Sequence, residues 1–155
     1  MESDIKIIGY TPVYQEAFKA LNQAWIEKAF ELEPVDIEVL DDPERFILKD
    51  GGKILMALLD KDVVGTCSLK NKGNGIYELT KMTVDEKFRG RQIGYLLGYA
   101  IIEKAKELKA KKVELYSNTK GSFMAIPLYY KLGFQQVPLE TKEYKRADIK
   151  MEMTL

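Results

Sequence analysis

The chain has 155 residues, 46% of them apolar, enough for one domain with a sizeable core. Its 24 Lys and Arg balance 24 Asp and Glu, so the net charge gives no support to nucleic acid or an anionic membrane as partner. A single cysteine excludes an internal disulfide, and the absence of histidine removes the commonest general base and metal ligand, so no metal site is expected.

In chain order, Ile5–Tyr10 reads as a strand. Thr11 is placed to cap the next element and Pro12 suits a first helical position, so the apolar stripe from Ala17 to Phe30 predicts a helix over Pro12–Phe30. Pro34 and Pro43 interrupt the pattern, with a short helix between them in V-D-I-E-V-L. Glu31, Glu33, Asp36 and Glu38 make this segment acidic, either as a solvated stretch or as a wall that attracts a cation. Lys53–Leu59, Val63–Lys70 and the strand from Tyr77 to Val84 are joined by tight D-K-D and K-G-N-G turns, which predicts an antiparallel meander. Cys67 lies in an apolar strand pattern, as a core thiol does. A helix over Ile93–Lys109, a strand over Lys112–Asn118, a helix over Ser122–Leu132 closed by Gly133, and a hairpin of Phe134–Val137 with Asp148–Leu155 complete the chain. The order β, α-α, β-β-β, α, β, α, β-β is that of an α/β fold, a mixed, mostly antiparallel sheet with helices on both faces. No run of about eighteen apolar residues exists, and M-E-S-D at the start is not a signal pattern. The expectation is a soluble cytoplasmic protein of a single domain spanning 1–155.

The stretch Tyr77–Lys109 organises the rest. Strand and helix are separated by Arg89, Gly90, Arg91, Gln92, Ile93 and Gly94. A helix start leaves about four backbone N–H groups without helical partners at the positive end of the dipole. Glycines permit close approach and the arginines add charge, so this unit is suited to a phosphate or pyrophosphate. Neither G-x-x-x-x-G-K-[ST] nor G-x-G-x-x-G occurs in the chain.

The stretch resembles the acyl-CoA-binding signature of the GNAT superfamily of N-acetyltransferases, V-x-x-x-x-[RQ]-x-x-G-x-[GA]. Val84, Arg89 and Gly94 fall in register, while Gln92 stands where the family most often has glycine. Ala125-Ile126-Pro127-Leu128-Tyr129-Tyr130-Lys131-Leu132-Gly133-Phe134 is similar to the family's A-x-x-L-Y-x-K-L-G-F. The resemblance covers about Val63 to Val137, and outside it only the element order agrees. It implies a GNAT fold in which the strand ending at Val84 and its parallel neighbour splay apart around the cofactor. Acetyl-CoA is the implied co-substrate, with acetyl transfer to a small-molecule or peptide amine. Family members are often dimers, so a homodimer is among the implied states.

Residue roles follow from the resemblance alone. The N–H of Met82 faces the acetyl carbonyl, that of Val84 faces pantetheine, and Thr83 lies between them. The pyrophosphate falls on the loop and on the first turn through Tyr95 and Leu96. Ser122 stands where the family often has asparagine, and Asn118 shares that work or simply caps its strand. Tyr129 matches the tyrosine near the thioester sulfur, the general acid. Glu78 lies where some members carry a base, and a regular strand would put it on the side of Met82 and Val84, a parity that a bulge would shift. The acidic wall, Glu33 and Asp36, falls where the family shapes its acceptor site and implies a cationic acceptor. Tyr77 and Tyr116 read as ordinary strand aromatics. A non-catalytic acyl-CoA-binding module on the same fold is the alternative, and thiol release with an amine panel separates the two.

Overall fold

The computed structural model describes residues 5–120, 125–140 and 144–155. Seven strands form one sheet: β1 (Ile5–Gly9), β2 (Lys53–Leu59), β3 (Asp62–Gly73), β4 (Ile76–Val84), β5 (Lys112–Ser117), β6 (Gln135–Val137) and β7 (Ile149–Thr154). Their spatial order is β1-β2-β3-β4-β5-β7-β6, and among the described residues only the β4–β5 pair is parallel. The antiparallel meander of β2, β3 and β4 and the β6–β7 pairing are as the sequence predicts, and β7 lies between β5 and β6. The helices are α1 (Gln15–Ala29), α2 (Pro34–Asp41), α3 (Ile93–Glu107) and α4 (Ala125–Leu132). No described helix is long and apolar enough to cross a membrane.

Alternation along β2 separates two cores. Leu55, Ala57 and Leu59 face a cluster that includes Ile93, Leu97, Ile101 and Tyr129 of α3 and α4. Ile54 and Met56 face Phe18, Val39, Leu40 and Ile47 from α1, α2 and the turn after them. The helices therefore cover both faces. The Cys67 thiol is buried in the first core, where burial pushes its pKa up, and donates to the Leu97 carbonyl oxygen at 3.6 Å.

The first helix starts later than its sequence suggests. Pro12–Tyr14 forms a 3-10 turn, and Thr11 contributes its carbonyl oxygen to the Tyr14 N–H rather than a side-chain cap. Residues 44–48, read from sequence only as a break after Pro43, make a wide π-type turn whose Ile47 is buried. Gly133, at a φ of 112°, closes α4 as expected. Pro127 falls near the start of the described span of α4, where a missing N–H costs little.

β4 is irregular where it matters. Thr83 pairs with Thr66 and Thr80 with Ser68, so Lys81 and Met82 together oppose Cys67. Lys81 takes a left-handed φ of 55°, uncommon for a residue with a side chain. The bulge shifts the strand's parity. Tyr77 and Leu79 pack into the α3 core before it, and Met82 and Val84 do so after it. Glu78 and Thr80 are left on the other face, bonded to or linked through Tyr144. The regular alternation that would put Glu78 beside Met82 and Val84 is thus corrected. Parallel pairing of β4 with β5 stops at Glu78 opposite Glu114, and beyond that point the two strands part.

Candidate active site

The parting of β4 and β5 opens a cleft of about 620 Å³, within the usual range for small-molecule sites. One wall is the β4 edge from Leu79 to Val84, and the other is Tyr116, Ser117 and Asn118 at the end of β5. The Asp85 N–H donates to the Val64 carbonyl oxygen at 2.8 Å. Alternation then turns the N–H groups of Val84 and Met82 away from β3, toward the cleft.

At one end lie Arg89, Gly90, Gln92, Ile93, Gly94 and Tyr95. Gln92 is the N-cap of α3 with a left-handed φ of 61°, and no side chain caps the first turn. The helix start therefore presents its amides and the positive end of its dipole to the cleft. Gly90 needs its freedom for a φ of 83°, and a Cβ there would meet nothing within 4 Å among the described residues, leaving an open cradle. Arg91 and Leu96 do not line the cleft; the Arg91 guanidinium stacks 5.5 Å from the Phe88 ring, and Leu96 is 41% exposed. Gly94 serves packing as well as approach, since a Cβ there would lie 3.1 Å from Leu128 Cδ2 of α4.

Tyr129 reaches the cleft from α4, its ring packed edge-on against Phe134 at 6.1 Å. Burial, with a smaller effect of Cys67, raises its pKa above the ordinary tyrosine value, so the phenol is a neutral hydrogen-bond donor at neutral pH.

The other end is aromatic and cationic. Trp25, Phe30, Tyr116 and Tyr144 line it with Lys81 and Arg146. The Arg146 guanidinium carbon sits 4.8 Å from the Tyr144 ring centre and 5.8 Å from that of Phe30. Its Nη1 and Nη2 grip Asp36 at 2.7 and 2.9 Å, and Nη1 also reaches Glu33 at 3.0 Å. Lys81 Nζ lies 2.6 Å from Asp36 Oδ1. Burial alone would raise the Asp36 pKa, but the Arg146 hydrogen bond and the charge and hydrogen bond of Lys81 overcome it and hold the value at about 2. Burial pulls the Arg146 value down and Asp36 more than restores it, whereas burial prevails at Lys81 and lowers it.

A model of the acetyltransferase (GNAT) family matches residues 8–134. The chain belongs to the GNAT acetyltransferase family. It is 30% identical to human N-acetylaspartate synthetase over 116 residues, 74% of this chain and 36% of that protein. The mouse protein of the same name is 30% identical over 115 residues, again 74% of this chain and 36% of the relative. The chain thus spans about a third of the curated relatives it matches. A GNAT acetyltransferase structure from Staphylococcus aureus Mu50 superposes with a TM-score of 0.88 at 23% identity, covering 97% of this chain and 99% of that one. The PaiA N-acetyltransferase of Thermoplasma acidophilum, solved in complex with coenzyme A, superposes with a TM-score of 0.71 at 18% identity, covering 98% and 99%.

Within this GNAT fold, the residues named from sequence divide into groups. Met82, Thr83, Val84, Arg89, Gly90, Gln92, Ile93, Gly94, Tyr95 and Tyr129 share the cleft. Asn118 also lines it, but its side chain is engaged at the strand end: Nδ2 donates to the Arg146 carbonyl oxygen and Oδ1 accepts from the Lys120 N–H at 2.8 Å. Ser122 lies outside the described residues. Glu78 is 1% exposed and does not line the cleft; it reaches it through Tyr144, whose hydroxyl donates to Glu78 Oε2 at 3.2 Å and lies 3.2 Å from Thr80 Oγ1. The acidic wall is corrected. Asp36 is fully buried, Glu33 is bound by Arg146 and by the Lys145 N–H at 2.8 Å, and neither lines the cleft. Sequence reasoning missed Lys81, Tyr144 and Arg146. Lys81 alone had a local signal, because apolar Leu79 and Met82 break the alternation around it.

Proposed function

We propose that the chain is an N-acetyltransferase that moves an acetyl group from acetyl-CoA to a primary amine by direct attack. The observation that carries this reading is the single cleft that joins the uncapped α3 start, the free edge of β4 and Tyr129. The open cradle at Gly90 and the Arg89 charge fit a pyrophosphate there. The name of the curated relatives, N-acetylaspartate synthetase, and the coenzyme A in the Thermoplasma acidophilum structure support the same assignment.

Acetyl-CoA supplies an activated acetyl thioester. The Met82 N–H is aimed where negative charge develops on the thioester oxygen, and the Val84 N–H holds the pantetheine arm. In the transfer a C–N bond forms and the C–S bond breaks. The amine, mostly protonated in water, loses one proton to solvent before it attacks and must give up a second as the C–N bond forms. Tyr144 accepts it as its own proton passes to Glu78, which makes Glu78 a positioning and accepting group behind the phenol. Tyr129 donates to the departing thiolate sulfur. A thiol has a pKa near 8.5 and burial raises that of Tyr129, so the phenol stabilises the thiolate mainly by hydrogen bonding.

The test is thiol release from acetyl-CoA with a panel of primary amines. Amine-dependent release is expected, and Tyr144→Phe should lower kcat by about 10²-fold while coenzyme A binding stays constant. If acetyl-CoA binds and no amine provokes release, the chain is a binding module rather than an enzyme.

A further inference from the structure

The acceptor end of the cleft carries a charge pattern opposite to the one its acidic segment suggests. Every charged residue that lines the cleft among the described residues is a cation: Lys81 and Arg146 at the acceptor end, Arg89 and Lys131 at the other. The carboxylates lie behind them. Asp36 is 0% exposed, and the Arg146 side chain is 14% exposed. An amine with several positive charges entering here meets cations first.

Arg146 is also incompletely used. A guanidinium has five N–H donors, in an end-on and a side-on fork. Asp36 takes the end-on fork through Nη1 and Nη2, and Glu33 takes the remaining Nη1 hydrogen. The side-on fork, Nε–H with the second Nη2–H, has no partner among the described residues. The group lies over the rings of Tyr144 and Phe30, and the two carboxylates hold its Nη1 and Nη2. The fork is thus held in place before a ligand arrives. The charges of Glu33 and Asp36 offset those of Arg146 and Lys81, so the site offers directed hydrogen bonds rather than a broad positive field. A planar carboxylate matches a guanidinium fork in two parallel bonds.

We infer that this cleft takes an acceptor that carries a carboxylate beside its amine, an amino acid rather than a polyamine or aminoglycoside, and that the side-on fork of Arg146 holds that carboxylate. The inference rests on the acetyltransferase reading. It makes Arg146 a specificity-determining residue and gives Glu33 and Asp36 the task of positioning it.

Thiol release from acetyl-CoA is measured with glycine, L-alanine and L-aspartate, each beside its carboxamide, and with putrescine and spermidine. Wild-type enzyme should favour the carboxylate of each pair by about ten- to a hundredfold in kcat/KM, the worth of a charge-assisted bond pair. Arg146→Gln should erase that preference by raising KM for the carboxylates more than for the carboxamides, so that each pair converges in kcat/KM while coenzyme A affinity holds. Carboxamides or spermidine turning over as well as the amino acids in wild type would overturn the inference, and this comparison needs no variant to fold. Release with none of the amines, despite coenzyme A binding, would remove the acetyltransferase reading and the inference with it.

Discussion

Tyr129 and Tyr130 are neighbours in sequence and opposites in environment. Tyr129 is 8% exposed and lines the cleft, while Tyr130 is 50% exposed and does not. Successive helical residues point about 100° apart, which suffices for that difference. Tyr129→Phe keeps the ring against Phe134 but removes the hydroxyl proposed to donate to the sulfur. It should lower kcat by about 10²-fold, the low end for proton assistance, because a thiolate leaves readily and the raised pKa of the phenol limits full transfer. Coenzyme A affinity by calorimetry should hold, and Tyr130→Phe should be silent in both assays. Tyr129 was legible in the sequence because its motif is local. Arg146 was not, because its partner Asp36 lies 110 positions away and only the fold brings them together.

At the scale of elements, the meander, the α3 start and the helix closed by Gly133 were legible because periodicity and glycine placement are local signals. The bulge was legible only as a broken alternation, and its consequence, the turning of Glu78 away from the face of Met82, needed the pairing with β3. Gly52 shows the same limit. In sequence it is one of a Gly-Gly pair in a turn, but a Cβ there would lie 2.4 Å from the Leu69 carbonyl oxygen and 2.6 Å from that of Ile47. Both are backbone atoms that cannot step aside, because the Gly52 N–H itself bonds to Ile47 at 3.0 Å. Gly52→Ala should therefore cost about 1–3 kcal/mol or more, seen in a thermal melt as a Tm lowered by roughly 5 °C. Gly9→Ala, where a Cβ meets nothing within 4 Å, is the control and should melt like the wild type.

At the scale of the whole molecule, the ionic cluster ties α2, whose apolar residues pack in one core, to β4 and the approach to β7, strands that pack in the other. Asp36 belongs to α2, Lys81 to the β4 bulge, and Arg146 to the approach to β7. Its stability has a definite pH dependence. The folded pKa of Asp36, about 2, lies below its ordinary value of 3.8. The native state thus holds this proton more weakly than the unfolded chain does, and the contribution is fully present above the unfolded value. It fades as the pH falls from about 4 to about 2, and at most about 2 kcal/mol is lost with it. Asp36→Asn should remove this dependence but cost about 3–5 kcal/mol at neutral pH, because buried Lys81 and half-buried Arg146 lose a shared partner. Asp36→Asn combined with Lys81→Met removes one charge of each sign and should recover part of that loss. Urea melts of the wild type and the double variant at several pH values measure the difference directly. The wild type should lose its advantage over the double variant as the solution is acidified through this window. Parallel acid profiles for the two proteins would mean that Asp36 titrates alike in the folded and unfolded chains, and that the cluster does not hold its carboxylate ionised.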